Sequence, residues 1–267
     1  MKEPVHKHKG TAQSKGPRAL AEVVDYLHTL LNHDAVADWS NALNGLQVEN
    51  RGNIRRIGAA VDACEATLQM AAERGIDFLL VHHGLCWGGL QPVKGASYRK
   101  LKLALDGDIA VFSSHLPLDL HSRFGNNVLL AKALGFKGSE PFFFEKGQFI
   151  GRKARFVLER GALQRRLETA VGGPVKLIAG GPTRTGVVGV VTGGAGAELF
   201  NAAAEGVDTF ITGEGPHWSY TAAEELGLNV FYAGHYATET FGVKALAAHL
   251  SRKYQLPWEF LDHPTGM

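Results

Sequence analysis

The chain has 267 residues, of which 45% are hydrophobic and 20% are charged, and its formal net charge is +2. This composition is typical of a globular protein and excludes disorder over most of the chain. The nearly neutral charge, without a basic stripe, argues against a nucleic-acid partner. No apolar run approaches the roughly eighteen residues of a membrane span, and Cys64 and Cys86 lack zinc-motif spacing. We therefore expect a soluble, cytoplasmic protein with reduced thiols and no membrane partner.

The first eighteen residues form a segment of different character. They are rich in lysine and lack the apolar core of a signal peptide. Residues 1–18 are therefore predicted to be a disordered tail. His6 and His8 could bind metal adventitiously, but we interpret them as solvated side chains of this tail.

From residue 19 the chain alternates between helical and strand patterns. The stretch "ALAEVVDYLHTLLNH" predicts a helix, and "DWSNALNGLQVEN" predicts a loop that leads into a short strand. There follow the strand "IRRIGAAVD", the helix "ACEATLQMAAERG", the strand "DFLLV", the helix "YRKLKLALDG", the strand "DIAVFSSH" and the helix "GNNVLLAKALG". This alternation predicts an α/β fold with a parallel or mixed sheet covered on its faces.

The second half of the chain repeats this order. A shift of 131 positions places Gly58 on Gly189 and Asp77 on Asp208, so that "AAERGIDFLLVHHG" lies over "AAAEGVDTFITGEG". A shift of 120 positions places "DIAVFSSHLPLD" over "LNVFYAGHYATE". Two similar α/β domains, residues 19–136 and 137–267, are therefore predicted from an internal repeat. The second begins with β-rich pieces and the helix "GALQRRLETAVGG".

Polar side chains end several of the predicted strands. Successive strand side chains point to opposite faces, so two adjacent histidines after "DFLLV" are not both explained by burial on one face. The two repeats also end equivalent strands with His-x-x-x-acid. The strand ends thus present His82, His83, His115, Asp119, His235 and Glu239. In open α/β sheets the functional crevice lies at the carboxyl ends of strands, where these residues fall.

Imidazole together with carboxylate suits a divalent zinc, iron, manganese or nickel ion. Adjacent histidines could serve two different ions, and a carboxylate such as Glu239 or Asp119 could bridge them. One alternative is that each histidine is merely a capped or solvated strand end. Another is that Asp119 and Glu239 are acids in the first turns of helices. The joint occurrence of "VHHG" with two His-x-x-x-acid motifs favours a metal site.

Other motifs are weaker. Glu214 occupies the repeat position of His83, and His217 follows three residues later. These two residues either support the same site or form an ordinary loop pair. In "VVTGGAGAELF" the full G-x-G-x-x-G pattern is absent, so we interpret these glycines as sites of close packing. The incomplete pattern also argues against a dinucleotide-binding enzyme.

Several quoted stretches together resemble the NIF-three-like family. They are "DWSNALNGLQV", "DFLLVHHGL", "FSSHLPLDLHSRFGNNVLLAKALG", "GQFIGR", "GVDTFITGEGPHWSYTAAEELGLNV" and "GHYATETFGVKALAAHL". The family is also known as GTP cyclohydrolase I type 2 homologues and as dinuclear metal centre hexameric proteins. The resemblance covers roughly residues 19 to 263. Where the family usually has a proline after the paired histidines, this chain has Gly84.

The resemblance implies a fold, a cofactor and an assembly. It implies two similar α/β domains with a di-metal site in the cleft between them, and a homohexamer built as a trimer of dimers. The metal ligands implied by the family motifs are His82, His83, Asp119, His235 and Glu239. Catalytic residues are not identified. His115, with Glu214 and His217, fits a supporting or substrate-facing role.

The leading hypothesis for function is a metal-dependent hydrolase. Its substrate would be a small molecule, such as a nucleotide or another phosphorylated or cyclic-amide compound, and two divalent metal ions would activate water. The alternative is a non-catalytic metal-binding assembly or regulatory factor. Five protein ligands for two ions leave coordination positions open, which favours catalysis.

Overall fold

The computed structural model describes residues 16–267. The predicted disordered tail therefore lies mostly outside the described residues, together with His6 and His8. Its last residue, Arg18, is an exception, because it lies in a short strand. The strands, in chain order, are β1 (Arg18–Ala19), β2 (Gly45–Val48), β3 (Asn53–Ile54), β4 (Ile57–Asp62), β5 (Phe78–His83), β6 (Ala110–Ser113), β7 (Glu140–Glu145), β8 (Gln148–Arg155), β9 (Lys176–Ala179), β10 (Val187–Val190), β11 (Thr209–Thr212), β12 (Asn229–Tyr232) and β13 (Trp258–Phe260).

The helices follow the predicted order. They are α1 (Leu20–Leu31), α2 (Glu65–Glu73), α3 (Ala96–Asp106), α4 (Leu116–Asp119), α5 (Asn126–Leu134), α6 (Arg160–Val171), α7 (Leu199–Ala204), α8 (Ser219–Glu225) and α9 (His235–Tyr254). Helix α4 was not predicted, because a single turn is too short to show helical periodicity. Within residues 16–267 we find no helix that is long and apolar enough to cross a membrane.

The chain divides into two compact units, and the mixed α/β fold is confirmed. Unit 1 comprises the described residues up to Pro117 and Val243–His263, and unit 2 comprises Leu118–Gly242 and Pro264–Met267. This division differs from the predicted boundary between residues 136 and 137. Two packing arrangements account for this. Leu130 and Leu134 of α5 belong to the unit 2 core, and β13, near the carboxyl terminus, pairs with β4 in the unit 1 sheet. Sequence order reveals neither of them.

Each unit is built on one large sheet with three central parallel strands, and β1 and β3 of unit 1 form a separate two-stranded antiparallel sheet. The unit 1 sheet has the order β13-β4-β5-β6-β2, in which β2 is an antiparallel edge strand. The unit 2 sheet has the order β7-β8-β10-β11-β12-β9, in which β9 is an antiparallel edge strand beside β12. The parallel triplets β4-β5-β6 and β10-β11-β12 are the segments matched by the two sequence shifts, which is consistent with the internal repeat.

Two equivalent aspartates fix the start of the repeated strand pair. In unit 1 the Asp77 carboxylate accepts hydrogen bonds from the backbone N–H groups of Arg55 and Arg56 at 2.9 and 3.0 Å. These bonds divide the predicted strand "IRRIGAAVD" into β3 and β4. In unit 2 the Asp208 carboxylate accepts from the N–H groups of Gly186 and Val187, both at 2.9 Å. The aspartates therefore serve the fold rather than the chemistry.

Each sheet supports its own apolar core. In unit 1, Leu79, Val81 and Val111 of the central strands pack with Leu261. In unit 2 the core cluster contains Val188, Ile211 and Phe231 of the central strands with Leu163 and Leu167 of α6. These strands are buried on both faces, which explains why they read as continuous apolar runs. The carboxyl ends of the central strands are consequently held on rigid elements.

His33, which packs against Phe112 of β6, makes the stability of the fold sensitive to acid. The ring of His33 stacks on Phe112 at 5.6 Å between centroids, and its Nε2 lies 3.1 Å from Ser114 Oγ. Burial, with a smaller contribution from His28, lowers the pKa of His33 to about 4. Since the unfolded chain binds this proton at about pH 6.5, acid favours unfolding between about pH 6.5 and about pH 4.

We therefore expect His33→Gln to flatten the acid dependence of stability. The variant keeps an N–H group for Ser114 but loses the titrating ring. Between about pH 7 and about pH 4.5, wild type should lose roughly 2 kcal/mol more of its free energy of unfolding than the variant. Urea unfolding with chelator present at both pH values measures this difference. Parallel pH profiles for the two proteins would contradict the prediction.

Candidate metal centre

Three histidines come together at the carboxyl ends of β5 and β6 in unit 1. His82 and His83 are the last residues of β5, and His115 follows β6 by two positions. One ring nitrogen of each lies within 4.8 Å of the others. The ring centroid of His82 is 4.8 Å from that of His83 and 4.9 Å from that of His115. Three imidazoles at this spacing are a donor set suited to a transition-metal ion.

The Nδ1 atom of every ring in this cluster is held by an oxygen acceptor. His82 Nδ1 donates to the backbone carbonyl of Ser114 at 3.0 Å. His83 Nδ1 lies 2.8 Å from Asp62 Oδ1, and His115 Nδ1 lies 2.9 Å from Asp38 Oδ1. Such partners fix the tautomer and the ring orientation of metal-binding histidines. Each ring therefore presents Nε2 as its lone-pair donor.

The buried carboxylate of Asp38 organises the segment around His115. Asp38 accepts hydrogen bonds from His115 Nδ1 and from the backbone N–H groups of Trp39 and Leu116. Asn44 donates Nδ2 to the same carboxylate at 2.8 Å and accepts the His115 N–H through Oδ1 at 2.7 Å. Burial alone would raise the pKa of Asp38, but these hydrogen bonds, led by the one from His115, lower it. The carboxylate is thus ionised at neutral pH.

In unit 2 a histidine lies between two carboxylates. His235 begins α9, three positions after the end of β12, and Glu239 lies one helical turn further on. His235 Nδ1 is 2.8 Å from Glu214 Oε1, and His235 Nε2 is 3.2 Å from Glu239 Oε2. Glu214 follows β11, so the carboxyl ends of adjacent strands supply this pair. Here too the Nδ1 atom is held by an oxygen, and Nε2 faces a potential ligand carboxylate.

The two carboxylates change the charge state of His235. Burial would lower the pKa of His235, but hydrogen bonds to Glu239 and Glu214, together with their charges, raise it to about 9. A cation held by Nε2 and the Glu239 carboxylate would take the place of this proton, because metal-binding imidazole is neutral. The pair therefore has the chemistry of a metal-binding donor set.

The glycine-rich turn after β10 leaves room for the Glu239 carboxylate. Gly193 has a φ of +76°, and a Cβ at this position would overlap Glu239 Oε1. The backbone N–H of Gly193 donates to Thr238 Oγ1 at 3.1 Å, and its carbonyl accepts from the Gly213 N–H at 2.7 Å. The glycines in "VVTGGAGAELF" are therefore sites of close packing, as predicted. Gly193 and Gly194 pack against the histidine and glutamate of the candidate centre, and Gly196 packs against the backbone of Glu214 and Gly215.

Asp119 is held by a separate buried network in unit 2. It is the last residue of α4 and is 8% exposed. Its Oδ1 accepts a hydrogen bond from Asn126 Nδ2 at 2.7 Å, and Asn126 Oδ1 accepts the Gly242 N–H within α9. Because α9 also carries Glu239, Asn126 links the Asp119 carboxylate to the helix that presents the other acid. Asp119 ends a helix, so it is not a first-turn acid of α5.

The predicted metal ligands are distributed over both units, with His82 and His83 in unit 1 and Asp119, His235 and Glu239 in unit 2. His82 and His83 cluster with His115. The position of His115 suits a metal-ligand role as well as the supporting role that was predicted for it. Glu214 contacts His235, and its supporting role stays a prediction. His217 is exposed and begins the turn that precedes α8. The metal-ligand roles themselves stay predictions.

Sequence reasoning missed the residues that orient these side chains. They are Asp38, Asp62, Asn126 and Gly193. Two signals could have found part of this set. Asp62 is a polar residue at the end of an apolar strand, and a shift of 131 positions places it on Gly193. Asp38 lies within one of the quoted family-like motifs.

Three comparisons with known proteins agree. The family description Duf34/NIF3 (NGG1p interacting factor 3) matches residues 19–265. A protein of Deinococcus radiodurans named "GTP cyclohydrolase 1 type 2 homolog" is 40% identical over 248 residues, which cover 92% of this chain and 94% of that protein.

Solved structures share the whole fold. The protein TTHA1606 from Thermus thermophilus is 40% identical with a TM-score of 0.83, over 94% of this chain and 100% of that one. Reduced HcgD from Methanocaldococcus jannaschii is 26% identical with a TM-score of 0.83, over 93% of this chain and 99% of that one. The resemblance stated from the sequence motifs is confirmed.

Proposed function

The chain belongs to the Duf34/NIF3 family, and we propose that it is a metal-dependent hydrolase that binds two divalent transition-metal ions. The observation that carries this proposal is the way the four histidines are held. His82, His83, His115 and His235 each have Nδ1 fixed by a carbonyl or carboxylate oxygen. A merely solvated histidine needs no such partner, whereas metal-binding histidines typically have one.

The chemistry of the two donor sets supports a catalytic role. A set of ligands made of imidazole nitrogens and few carboxylates suits zinc, iron, manganese or nickel better than magnesium. Such ions, when bound, lower the pKa of coordinated water toward neutrality. Asp38, Asp62 and Glu214 would keep their histidines oriented throughout a turnover. The substrate class we propose is a nucleotide or a related phosphorylated or cyclic-amide compound, in line with the names of the relatives.

The experiment combines elemental analysis with a substrate screen. Full-length protein is purified without chelator, with His6→Ala and His8→Ala in every sample so that the tail does not contribute metal. We expect bound transition metal in wild type and a marked loss in Glu239→Gln and His83→Ala. Glu225→Gln in α8 and His263→Ala, both exposed positions, are the matched controls and should retain wild-type metal.

The same preparations decide between catalysis and its alternative. Metal-loaded wild type is offered GTP, cyclic nucleotides and pterin precursors. Turnover that falls with metal content in the two site variants supports the hydrolase. Bound metal without turnover of any compound would favour the non-catalytic metal-binding or regulatory alternative. Absence of metal from every preparation, even after reconstitution, would rule out both the hydrolase and the metal-binding alternative. One dinuclear centre shared by both donor sets, and assembly into a homohexamer, stay predictions.

A further inference from the structure

Two tryptophans in unit 1 lie against the histidine cluster. The ring centroid of Trp39 is 5.6 Å from that of His115, with an interplanar angle of 63°. The ring centroid of Trp87 is 4.8 Å from that of His115, with an interplanar angle of 84°, and 5.6 Å from that of His83. Both indoles thus meet the His115 imidazole edge to face. None of the metal-binding chemistry described above uses them.

The segments that carry the two indoles are fixed to each other. Gln47 accepts the Leu85 N–H through Oε1 at 2.6 Å, and a Cβ at Gly84 would overlap the Gln47 amide. Gln47 Nε2 also donates to the backbone carbonyls of Ala42 and Leu43, on the Trp39 segment, at 3.1 and 3.0 Å. Gly84 therefore lets the Trp87 segment pack closely against Gln47, which is bound to the Trp39 segment. The two rings are held in place before any ligand arrives.

The surroundings of the rings have the character of a ligand site. Trp39 is 43% exposed although it lies beside buried polar groups, and Leu43 on the same segment is 56% exposed. The indole N–H of Trp87 is buried and has no hydrogen-bond partner among residues 16–267. Small-molecule sites are mostly apolar and aromatic, with a few polar groups that fix orientation. A buried donor with no protein acceptor is costly unless a ligand or solvent satisfies it.

We propose that Trp39 and Trp87 form a stacking recess beside His82, His83 and His115. The recess binds a flat nitrogen heterocycle, which is part of the substrate. The proposal rests on the proposed hydrolase function and names the feature that selects its substrate. Aromatic faces attract heterocycles of many kinds, because every base offers a π-face. An acceptor on the ring could also satisfy the Trp87 N–H. The recess therefore selects for a planar ring rather than for a phosphate.

The test is a binding measurement that needs no turnover. Guanosine 5′-monophosphate and ribose 5-phosphate, which lacks the ring, are titrated against full-length protein, and intrinsic fluorescence and equilibrium dialysis are recorded. Trp39 and Trp87 are two of the four tryptophans, so stacking should quench a substantial part of the emission. We expect binding and quenching with the guanosine compound only. Trp39→Leu and Trp87→Leu should each weaken binding roughly 10-fold, and Trp39→Phe and Trp87→Phe should retain most of it.

Trp218→Leu is the matched control. Trp218 is an exposed tryptophan of unit 2 that stacks on Phe200, and its loss should leave binding unchanged. Equal binding of the two compounds by wild type would overturn the recess, even if a leucine variant failed to fold. Unchanged binding in both leucine variants would do the same. The hydrolase proposal is tested separately, by metal content and turnover. Binding of the guanosine compound without hydrolysis would support the stacking recess and contradict the hydrolase proposal.

Discussion

Gly193→Ala is expected to lower metal affinity by roughly 10- to 100-fold or more, although it adds only one methyl group. The Cβ would overlap Glu239 Oε1 and would lie 3.4 Å from His235 Nε2. Glu239 is 2% exposed and follows the fully buried Thr238 in α9, so its carboxylate has little room to move aside. The methyl group therefore takes up space that the candidate ligand pair needs.

The control for this variant must separate steric overlap from backbone strain. Gly206→Ala provides it, because Gly206 has a φ of +80° and a Cβ there has no neighbour within 4 Å. Both alanines are strained at positive φ by about 1 to 2 kcal/mol. Both variants should therefore lose similar stability from strain, but only Gly193→Ala should lose metal. Titration with Zn²⁺ after chelator treatment measures the affinity. Equal metal affinity in the two variants would mean that Glu239 is not a ligand.

The sequence predicted the elements of the fold well because their signals are local. Alternating apolar runs and helical periodicity located β4, β5, β6 and their repeats β10, β11 and β12. The pairing of β13 with β4 could not be predicted, since it joins strands about two hundred residues apart with no periodic signal between them. The predicted boundary after residue 136 does not coincide with the division into units, because Leu130 and Leu134 of α5 pack into the unit 2 core.

The candidate site was predicted in part for a similar reason. Histidines at strand ends are visible in the sequence because polar residues interrupt apolar runs. The groups that orient them are not, since Asp38 reaches His115 across seventy-seven positions of the chain. Gly193 has an even weaker signal, because a glycine that leaves room for a carboxylate looks the same in sequence as a glycine in any turn.

Asp38→Ala is expected to destabilise the protein by about 3 to 5 kcal/mol and to release His115 from its position. Four donors converge on this carboxylate, whose side chain is 6% exposed: His115 Nδ1, Asn44 Nδ2 and the N–H groups of Trp39 and Leu116. Alanine accepts none of these hydrogen bonds, so buried donors would lose their partner. Because the pKa of Asp38 is lowered, the carboxylate contributes fully at neutral pH. Urea unfolding at about pH 7 with chelator present measures the loss.

The matched control for Asp38→Ala is Asp106→Ala, the same substitution at a side chain that is 64% exposed and paired with Lys102 on α3. A surface pair of this kind contributes little to stability, because solvent and salt screen it. A double-mutant cycle of Asp38→Ala with His115→Ala should show a coupling energy of roughly 1 to 3 kcal/mol. Additive effects would mean that the carboxylate stabilises the loop without orienting the imidazole. Coupling, together with loss of guanosine 5′-monophosphate binding, would show that one buried aspartate holds both His115 and Trp39 in place.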